Sequence, residues 1–587
     1  MPSDSSQLPR FGRRFLGADQ TFTRIGSGGI GGKAAGLDLV RREVLSRITA
    51  DEFPEFEVVV PTLTVLTTDL FDSFMDRNDL ASAAEAGDSD DRIAHAFQRG
   101  ELPAEFVGDL RALIASVHTP LAVRSSSLLE DALDHPFAGV YGTKMTPNNQ
   151  PDTDTRFRRL VEAIKFVYAS TFFRQPKSYL RSIDQTVDAE KMAVIVQEIV
   201  GTRYDDRFYP AISGVARSYS YYPSGHAGPE DGVVDLALGL GKQIVDGGVS
   251  WTYCPAYPKA PAPYNNLGDL MKNTQTKFWA VHMGAPPPPD PIRETEYMSR
   301  LDLDAAEWDG TLDHLVSTLP AGSERLRAGL HGKGPRVLNF APILTLDTLP
   351  LNRLVRRLLD LTEKALGGAV EIEFAVALDP RGEKRTRFGF LQARPMMVTK
   401  EPVEVTEEEL RGDSVLVASS RALGNGVRSD IRDVVYVRPE AFEARFTARI
   451  AAELDAVNRM LVAEERPYLL IGFGRWGSAD PWLGIPVDWG QISGARVIVE
   501  ATLPQMSPDL SQGSHFFHNM ISFSVLYLSV RHSSGQAIAW EWMDRQEAVR
   551  ETEFLRHLRL PAPLSVRVDG RSGRGVIEHA GQAAENA

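Results

Sequence analysis

The segment from Glu371 to Met396 restricts the fold of this chain more than any other stretch, because it reads as two β-strands joined by a turn. The runs "AVEIEFAVAL" and "RFGFLQARP" are apolar and rich in strand-forming residues, and "DPRGEK" between them is typical of a hairpin loop. The pattern predicts an antiparallel pair in which Glu373 and Gln392 lie on neighbouring strands.

The side chains at the ends of these runs suggest chemistry. A carboxylate and an amide oxygen on adjacent strands form a hard-oxygen site suited to magnesium, with positions left for phosphate ligands. Arg394 follows Gln392 by two residues, projects to the same face and can neutralise a transferred phosphoryl group. The alternative is a surface cross-strand pair of glutamate and arginine. We interpret Glu373 and Gln392 as candidate metal ligands and Arg394 as a candidate catalytic group.

The length and charge of the chain narrow its class. With 587 residues it is too long for one hydrophobic core. A net charge of −14 argues against general nucleic-acid binding, for which a basic surface is expected. The single cysteine, Cys254, cannot form a disulfide framework or a multi-cysteine zinc site. Because neither a signal peptide nor a membrane-length apolar run is evident, we expect a cytoplasmic protein without a membrane partner.

Helical and strand patterns alternate along the chain, which indicates an α/β or an α+β protein, and we expect the α+β class. We expect a loosely ordered N-terminus over 1–20 and a first domain over 21–400. The charged segment "TKEPVEVTEEEL" has no apolar face, so we place a linker at 401–412. A smaller α/β C-terminal domain is expected over 413–570, followed by a disordered tail over 571–587 that is rich in glycine, alanine and glutamate.

The loop "GSGGIGGKAAG", Gly26 to Gly36, is a candidate phosphate-binding segment. Its glycines, with Gly31 and Gly32 among them, allow close approach, its N–H groups can converge on an anion, and Lys33 adds a positive charge. The G-x-x-x-x-G-K-[ST] phosphate loop does not fit, because Ala34 stands where Ser or Thr would bind magnesium. The alternative is a flexible glycine loop.

A second candidate phosphate contact lies in "LAVRSSSLLEDALDHPFAGVYGT". Arg124 ends a β run, and an arginine fork with neighbouring serine hydroxyls suits a phosphate. The alternative is a helix cap, since Ser127 and Glu130 have the spacing of a capping box. Both interpretations can hold together.

These segments together resemble the ATP-grasp nucleotide-binding domain of the phosphoenolpyruvate synthase and pyruvate phosphate dikinase family, over roughly residues 20 to 400. The matching pieces occur in the family's order: "GGKAAGL", "AVRSSSLLEDALDHPFAGVY", "VIVQEIV", "SGVARS", "LGLGKQIVDGGVS", "EIEFAV" and "LQARPM". The resemblance implies two lobes, about 21–200 and 201–400, and it implies ATP and magnesium as cofactors.

The resemblance also implies roles for single residues. Lys33 and Arg124 would contact nucleotide phosphates, Glu373 and Gln392 would hold magnesium, and Arg394 would stabilise the phosphoryl group in flight.

Adenine would dock at a segment that resembles the inter-lobe linker and carries Gln197, Glu198 and Val200. Two departures leave the ribose and second-metal contacts open. Lys242 replaces an acidic residue in "GLGK", and "SGVARS" lacks the family's Thr–Arg–Asp–Pro continuation.

The C-terminal third lacks the family's phosphohistidine motif, and it is too short for a TIM barrel of typically about 250 residues. It carries "GRWGSADPW" instead, with Arg475, Trp476, Asp480 and Trp482 in a loop that we interpret as a substrate-recognition loop. The alternative is aromatic packing at a domain edge with Arg475 paired to Asp480.

Two histidines further along are candidate acceptor residues. His515 and His518 are spaced to share a helix face with Gln512, and could serve as phosphoryl acceptor, general base or metal ligands. His515 is the better candidate for direct chemistry, since it follows small residues, whereas a buried structural role is the alternative for both.

The favoured function is an ATP- and magnesium-dependent phosphotransferase whose acceptor, a small molecule or a protein, is recognised by the C-terminal domain. Its alternatives are an ATP-binding sensor without turnover and an ATP-grasp ligase. The acceptor, the choice between AMP and ADP as product, and the oligomeric state stay open.

Overall fold

The computed structural model describes residues 8–13, 21–80, 89–128, 130, 139–182, 190–221, 223, 226–260, 267–272, 274–379, 384–396, 398, 403–412, 414–478, 480–504, 525–532 and 538–579. These residues divide into two compact units. The N-terminal unit comprises Met1–Ser218, Val234–Gln243 and Ser250–Pro395, and the C-terminal unit comprises Tyr219–Val233, Ile244–Val249 and Met396–Ala587.

The N-terminal unit contains two large mixed sheets. The first, which we call the front sheet, has five strands in the order Phe22–Ile25, Leu63–Leu66, Met192–Glu198, Leu121–Ser127 and Thr143–Thr146. The second, the hairpin sheet, has six strands in the order Trp251–Tyr253, Val233–Ala237, Ile212–Arg217, Val370–Ala377, Thr386–Pro395 and Phe56–Val59. Each combines parallel with antiparallel strand pairing.

Two smaller sheets complete the strands of this unit. One runs in the order Met298–Asp302, Lys277–His282, Arg207–Tyr209 and Thr202–Tyr204, and the other in the order Arg327–Ala328, Val316–Thr318 and Arg336–Leu338. The α-helices are Gly31–Leu39, Thr68–Asn78, Asp90–Arg99, Ala104–Ser116, Thr153–Ser170, Arg174–Ser182, Lys242–Val245, Leu267–Lys272, Leu303–Trp308, Ala341–Leu344 and Leu351–Leu366.

Helix Leu351–Leu366 shows how the core forms. Its apolar residues recur every three or four positions, so one face packs against strand Val370–Ala377 while its arginines point outward. Gly367 ends the helix with φ of 76°, a left-handed conformation that glycine adopts without steric cost. The helix therefore covers the hairpin sheet and leads directly into the hairpin.

The C-terminal unit is built on a seven-stranded mixed sheet. Its strands follow the order Ala422–Leu423, Leu526–Val530, Ala495–Ala501, Tyr468–Phe473, Asp433–Val437, Leu555–Arg559 and Ala548–Glu551. The second to fifth of these strands run parallel to one another. A four-stranded sheet has the order Val415–Ser419, Arg574–Glu578, Ser565–Asp569 and Gly426–Arg428, and Arg475–Trp476 pairs with Gly484–Ile485. The α-helices are Thr447–Ala463 and Trp540–Asp544.

The mixture of helices and mixed sheets agrees with the expected α+β class. The predicted hairpin is confirmed, since Val370–Ala377 and Thr386–Pro395 pair antiparallel. The two lobes and the C-terminal α/β domain stay predictions. Within the described residues, no helix is long and apolar enough to cross a membrane.

The expected loosely ordered N-terminus, linker and disordered tail each contain residues that are ordered in the structure. In the N-terminus, Leu8 and Phe11 are buried, and the Phe11 amide bonds the Arg24 carbonyl at 2.8 Å. In the expected linker, Val405 is buried. The expected tail begins too early, because Arg574–Glu578 is an internal strand of the four-stranded sheet. In each case pairing with a sequence-distant segment orders a stretch whose own composition is polar.

Candidate active site

Arg124 joins the front sheet to the hairpin sheet. Its Nη1 donates to the Leu391 carbonyl oxygen at 2.8 Å and to Gln197 Oε1 at 3.3 Å. Its Nη2 donates to Gln392 Oε1 at 2.9 Å and lies 3.8 Å from the Glu373 carboxylate. We call these groups the arginine cluster. It brings together predicted phosphate, adenine and metal contacts from distant parts of the chain.

The strand registers explain this convergence. Glu373 lies directly opposite Gln392, as the sequence predicted, and the register shifts just after Glu373. In the front sheet, Arg124 lies opposite Ile195, and Gln197 follows on the same face. Glu373 with Gln392, and Arg124 with Gln197, thus place polar side chains on strands that are otherwise mostly apolar.

The three residues of the predicted adenine-binding segment make different contacts. Gln197 belongs to the arginine cluster, and its buried Nε2 has no hydrogen-bond partner within the described residues. Glu198 accepts a hydrogen bond from the Thr119 hydroxyl at 3.0 Å. Val200 is buried against Gly389, where an added Cβ would lie 2.3 Å from a Val200 methyl group. The unpaired amide donor of Gln197 fits an acceptor atom of a nucleotide.

Lys33 is buried beside the strand that carries Arg124. Its Nζ donates to Glu130 Oε1 at 2.7 Å and to the Ser125 hydroxyl at 3.1 Å. Glu130 also accepts from the Ser127 amide at 2.9 Å, while the Glu130 amide donates to the Ser127 hydroxyl at 3.1 Å. The two reciprocal hydrogen bonds of the predicted capping box are present, while the helix that it would begin lies outside the described residues. The same glutamate balances the charge of Lys33.

Two backbone N–H groups of the glycine loop converge on an anion, and this anion is the carboxylate of Asp69. The amides of Ser27 and Gly28 donate to Asp69 at 2.8 Å and 3.0 Å. Burial favours a raised pKa for Asp69, but hydrogen bonds from Thr67, Ser27 and Gly28 outweigh it and lower the pKa. Asp69 is therefore ionised at neutral pH and holds the first part of the loop.

The second part of the loop begins helix Gly31–Leu39. Gly31 has φ of 75°, and an added Cβ would lie 1.7 Å from the Ser126 carbonyl oxygen, so a side chain is excluded there. Ser126 Oγ accepts from the Ala34 amide at 3.1 Å and donates to the Ile30 carbonyl at 2.9 Å. Gly31, Gly32 and Lys33 are thus held against the strand of Arg124.

Arg394 ends a row of buried charges. It is hydrogen-bonded to Glu371 directly across the hairpin, and Glu371 also lies 2.5 Å from Arg217. Arg217 lies 3.6 Å from Asp235, which accepts from the Thr252 hydroxyl at 2.5 Å. We call these residues the charge row. Its four charges alternate in sign across four adjacent strands of the hairpin sheet, and the neutral Thr252 lies on the fifth.

Burial distinguishes this row from the surface pair that sequence reasoning offered as an alternative. Arg217, Asp235, Glu371 and Arg394 are each at most 2% exposed. Burial raises the pKa of Asp235 and outweighs the opposing effects of Arg217, Thr252 and a neighbouring serine. The row is a desolvated network, in which removing Arg217 leaves Asp235 without a compensating charge.

Lys242, a residue of the N-terminal unit, begins the short helix Lys242–Val245, and its Nζ lies 3.7 Å from the Glu294 carboxylate. A basic residue where the resembling family has an acidic one is thus balanced by an acid from another segment. Its predicted nucleotide contact stays a prediction.

The donor set of the arginine cluster fits magnesium. Glu373 and Gln392 present a carboxylate and an amide oxygen in register, both next to a cation that already balances negative charge. Among the described residues there is no group of three or more His, Cys, Asp or Glu side chains that could hold a metal ion. A magnesium ion here would therefore need phosphate or water oxygens to complete its coordination.

The structure describes the candidate recognition-loop residues of the C-terminal unit but not its two candidate histidines. His515 and His518 lie outside the described residues. In the recognition loop, Arg475 donates to the Gly247 and Gly248 carbonyls at 2.8 Å and 3.3 Å. Trp476 is buried, while Trp482 is 75% exposed. Asp480 accepts from the Trp482 amide at 3.0 Å and shapes the loop.

Sequence reasoning missed Glu371, Arg217 and Asp235 as site residues. A signal existed for Glu371, since it precedes Glu373 by two positions and so shares its face. Arg217 and Asp235 follow from the order of strands, which the linear pattern does not reveal.

Comparison with known proteins assigns the N-terminal part of the chain. The family model of the pyruvate phosphate dikinase AMP/ATP-binding domain matches residues 28–413, which is more than half of the chain. No curated protein matches the chain. The matched residues include the arginine cluster, Lys33 and the charge row. The chain therefore belongs to the family that carries the AMP/ATP-binding domain of pyruvate phosphate dikinase.

Proposed function

We propose that the protein is an ATP- and magnesium-dependent phosphotransferase that moves a phosphoryl group from ATP to an acceptor recognised by residues 413–570. The observation that carries the proposal is the arginine cluster, in which Arg124 gathers Gln197, Glu373 and Gln392 from two sheets. Binding of a nucleotide alone would not require the metal-ligand oxygens of the arginine cluster together with Arg394 of the charge row. Catalysis by positioning and charge stabilisation would require both.

The phosphate contacts are assigned to Lys33 and Arg124, with Gly31 and Gly32 allowing close approach of the backbone. Arg124 offers a planar fork suited to phosphate oxygens, and its hydrogen-bond acceptors are neutral oxygens that a phosphate can replace. Lys33 is held rigidly by Glu130, which reduces the entropy lost on binding.

The nucleoside contacts are assigned to Gln197, Glu198 and Val200, with Lys242 near the ribose or phosphates. The unpaired Nε2 of Gln197 supports this assignment. A base acceptor would satisfy a donor that otherwise stays buried without a partner.

The metal ligands are assigned to Glu373 and Gln392. When bound, magnesium would neutralise phosphate charge and orient the phosphate chain. Glu373 would supply the charged oxygen and Gln392 the neutral one, and Arg124 would turn from Gln392 to the phosphates. The hairpin fixes both ligands, because they lie opposite each other in the register.

Arg394 is assigned to stabilise the phosphoryl group during transfer. Its pairing with Glu371 is compatible with this role, because Arg217 also neutralises Glu371. Arg394 can then turn towards a phosphoryl group without leaving Glu371 as an isolated buried charge.

The acceptor side is assigned to the C-terminal segment, with the loop "GRWGSADPW" in recognition and His515 as the candidate chemical group. His515→Ala should then abolish acceptor-dependent turnover while leaving ATP affinity intact.

The test of the function is incubation with Mg²⁺ and ATP labelled separately at the β- and γ-phosphates, followed by chromatography of nucleotides and of labelled protein. Formation of AMP or ADP that depends on Glu373 supports phosphotransfer. Tight ATP binding with neither product, in the presence of candidate acceptors, would support the sensor instead. An acyl phosphate that forms only with a carboxylate substrate would support the ligase.

We predict that Lys33→Ala and Arg124→Ala each weaken Mg-ATP binding by roughly 10- to 100-fold, because each removes a charge-assisted hydrogen bond to phosphate. Calorimetric titration measures the affinity, with melting curves to check folding. The matched control is Lys191→Ala, which breaks an exposed ion pair with Asp72 and should leave affinity unchanged. Wild-type affinity in both site variants would make the glycine loop and "AVRSSS" structural.

We predict that Glu373→Gln weakens ATP binding and turnover at low Mg²⁺ and regains part of both as Mg²⁺ is raised, because an amide is a poorer magnesium ligand than a carboxylate. Titrating Mg²⁺ at fixed ATP measures the shift. Glu43→Gln, an exposed glutamate paired with Arg47, is the control and should follow the wild type. A defect that Mg²⁺ does not relieve would exclude the ligand role.

A further inference from the structure

The C-terminal unit has a parallel segment whose strands end at one edge of the sheet. Strands Asp433–Val437, Tyr468–Phe473, Ala495–Ala501 and Leu526–Val530 lie side by side and parallel, in chain order. Because they are parallel, the carboxyl ends of all four strands meet at the same edge. Glu500, near the carboxyl end of an interior strand, lies at that edge between Gly472 and Ser529.

Glu500 is an unusual residue for an interior strand. It is 3% exposed, and its Oε2 accepts a hydrogen bond from the buried Tyr527 hydroxyl on the next strand. Its Oε1 is buried and makes no hydrogen bond of normal geometry within the described residues, although the Trp476 amide lies close enough to the carboxyl to lower its pKa. A buried carboxyl oxygen without a partner is costly, and a purely structural strand would be more stable with an apolar residue there.

The surroundings of Glu500 are positive. The causes that act on its pKa are burial first, which raises it, and then the Tyr527 hydrogen bond, Arg475, the Trp476 amide and Arg421, which lower it. Burial prevails and raises the pKa of Glu500 to about 7. The protonated form of the carboxyl is therefore populated near neutral pH, and in that form Oε1 can act as a donor.

The loop after strand Tyr468–Phe473 brings further groups to this edge. Arg475 is buried and donates to the carbonyls of Gly247 and Gly248 in the same unit. The Trp476 ring lies over Gly472, where an added Cβ would be 2.3 Å away, and its Nε1 donates to the Val499 carbonyl at 3.3 Å. The edge therefore combines fixed aromatic packing with guanidinium charge.

We propose that this edge is a binding site for a small oxyanion, a carboxylate or a phosphate group, which accepts a hydrogen bond from protonated Glu500 Oε1 in the positive field of Arg475 and Arg421. The ligand satisfies the one unpartnered oxygen of Glu500, and its charge matches the two arginines. Binding holds the proton on Glu500, so the site takes up a proton as the anion enters. The anion site does not depend on the proposed function. A further assignment of this anion as the phosphoryl acceptor would rest on that function.

The test is calorimetric titration of the full chain, without nucleotide, with acetate in one arm and inorganic phosphate in the other, from about pH 5.5 to about pH 8.5. We expect affinity to fall by up to about tenfold per pH unit above the pKa of Glu500, with proton uptake that is revealed by buffers of different ionisation enthalpy. Binding in the acetate arm alone assigns a carboxylate site, and binding in the phosphate arm alone assigns a phosphate site.

Variants separate this site from the nucleotide site. Glu500→Gln keeps a donor at the same place, so it should bind the anion with the Glu500-dependent pH slope removed. Glu500→Leu should lose binding. Arg124→Ala weakens the proposed phosphate contacts of the nucleotide site, so phosphate binding that persists in this variant and is lost when Glu500→Leu is added belongs to the edge of the C-terminal unit. The control is Glu541→Gln, a side chain that is 92% exposed.

Three results would overturn the proposal: no binding of either anion, binding that survives Glu500→Leu in the Arg124→Ala background, or a pH slope that is equal in the wild type and Glu500→Gln. ATP turnover is measured separately, so a failed anion site leaves the phosphotransferase proposal standing, and an inactive ATP site leaves the anion site standing.

Folding provides an independent check on Glu500. Because its folded pKa is raised to about 7 from a usual value of 4.5, the stability of the wild type relative to Glu500→Gln is greatest below pH 4.5. That relative stability falls as the pH rises from about 4.5 to about 7 and then levels off. Melting temperatures of both proteins across this range measure it, and a constant difference would show that Glu500 is solvated.

Discussion

Replacing Arg394 with alanine should lower the turnover of ATP by roughly 100- to 1,000-fold while changing nucleotide affinity less than about tenfold. The physical reason is that Arg394 is paired with Glu371 in the resting protein and has no other assigned role in ground-state binding. Its charge becomes useful when negative charge spreads over the phosphoryl group in flight. Turnover from labelled ATP and affinity from calorimetry give the two numbers.

Two further variants make this result interpretable. Arg394→Lys keeps the charge but loses the planar fork, so it should recover only part of the rate. Arg356→Ala removes an exposed arginine from helix Leu351–Leu366 and should leave both numbers unchanged. Equal losses of affinity and rate in Arg394→Ala would assign Arg394 to ground-state binding instead.

Replacing Arg217 with methionine should destabilise the N-terminal unit by about 3–5 kcal/mol, the usual cost of breaking a buried ion pair on one side. Arg217 is 1% exposed and lies between Glu371 and Asp235, so its loss leaves Asp235 buried without a cation. The free energy of unfolding from urea titration measures the loss. Arg357→Met, which breaks a half-exposed pair with Glu52, should cost less than about 1 kcal/mol.

A double variant tests the mechanism of this loss. Adding Asp235→Asn to Arg217→Met removes the uncompensated charge and should restore part of the stability, so the two effects are not additive. Additive losses would mean that Arg217 acts through packing alone. A loss below about 1 kcal/mol in the single variant would mean that water reaches the charge row.

Arg217 should also affect catalysis through Arg394. In Arg217→Met, Glu371 keeps Arg394 as its only assigned cation, so Arg394 is held more tightly and becomes less available to the phosphoryl group. We expect turnover to fall while the affinity for ATP changes little.

The contact between Arg124 and Gln392 shows the limit of sequence reasoning. The two residues are 268 positions apart, and each was identified separately from its local pattern. That one guanidinium would bond the carbonyl of Leu391 and the amides of Gln197 and Gln392 depends on how two sheets meet. Side-chain chemistry can be read locally, whereas such long-range contacts cannot.

Arg394 shows a second limit. The sequence supported both a catalytic role and a cross-strand pair with a glutamate, and the structure contains the pair. Whether the pair is exposed or buried depended on Ile212–Arg217 and Val233–Ala237, which extend the sheet beyond the hairpin. The expected disordered tail shows the same limit. Its segment Arg574–Glu578 is a strand that pairs with the distant strand Val415–Ser419 and with Ser565–Asp569.

The sequence by itself determined the hairpin, the opposition of Glu373 and Gln392, and membership of the dikinase nucleotide-binding family, because turn chemistry, two-residue periodicity and ordered motifs are local properties. Only the tertiary structure decided the partners of Arg124 and Lys33, the burial of the charge row, and the position of Glu500 at the edge of a parallel sheet. These depend on which strands become neighbours, and desolvation, which sets the strength of every charge among them, exists only once the chain has folded.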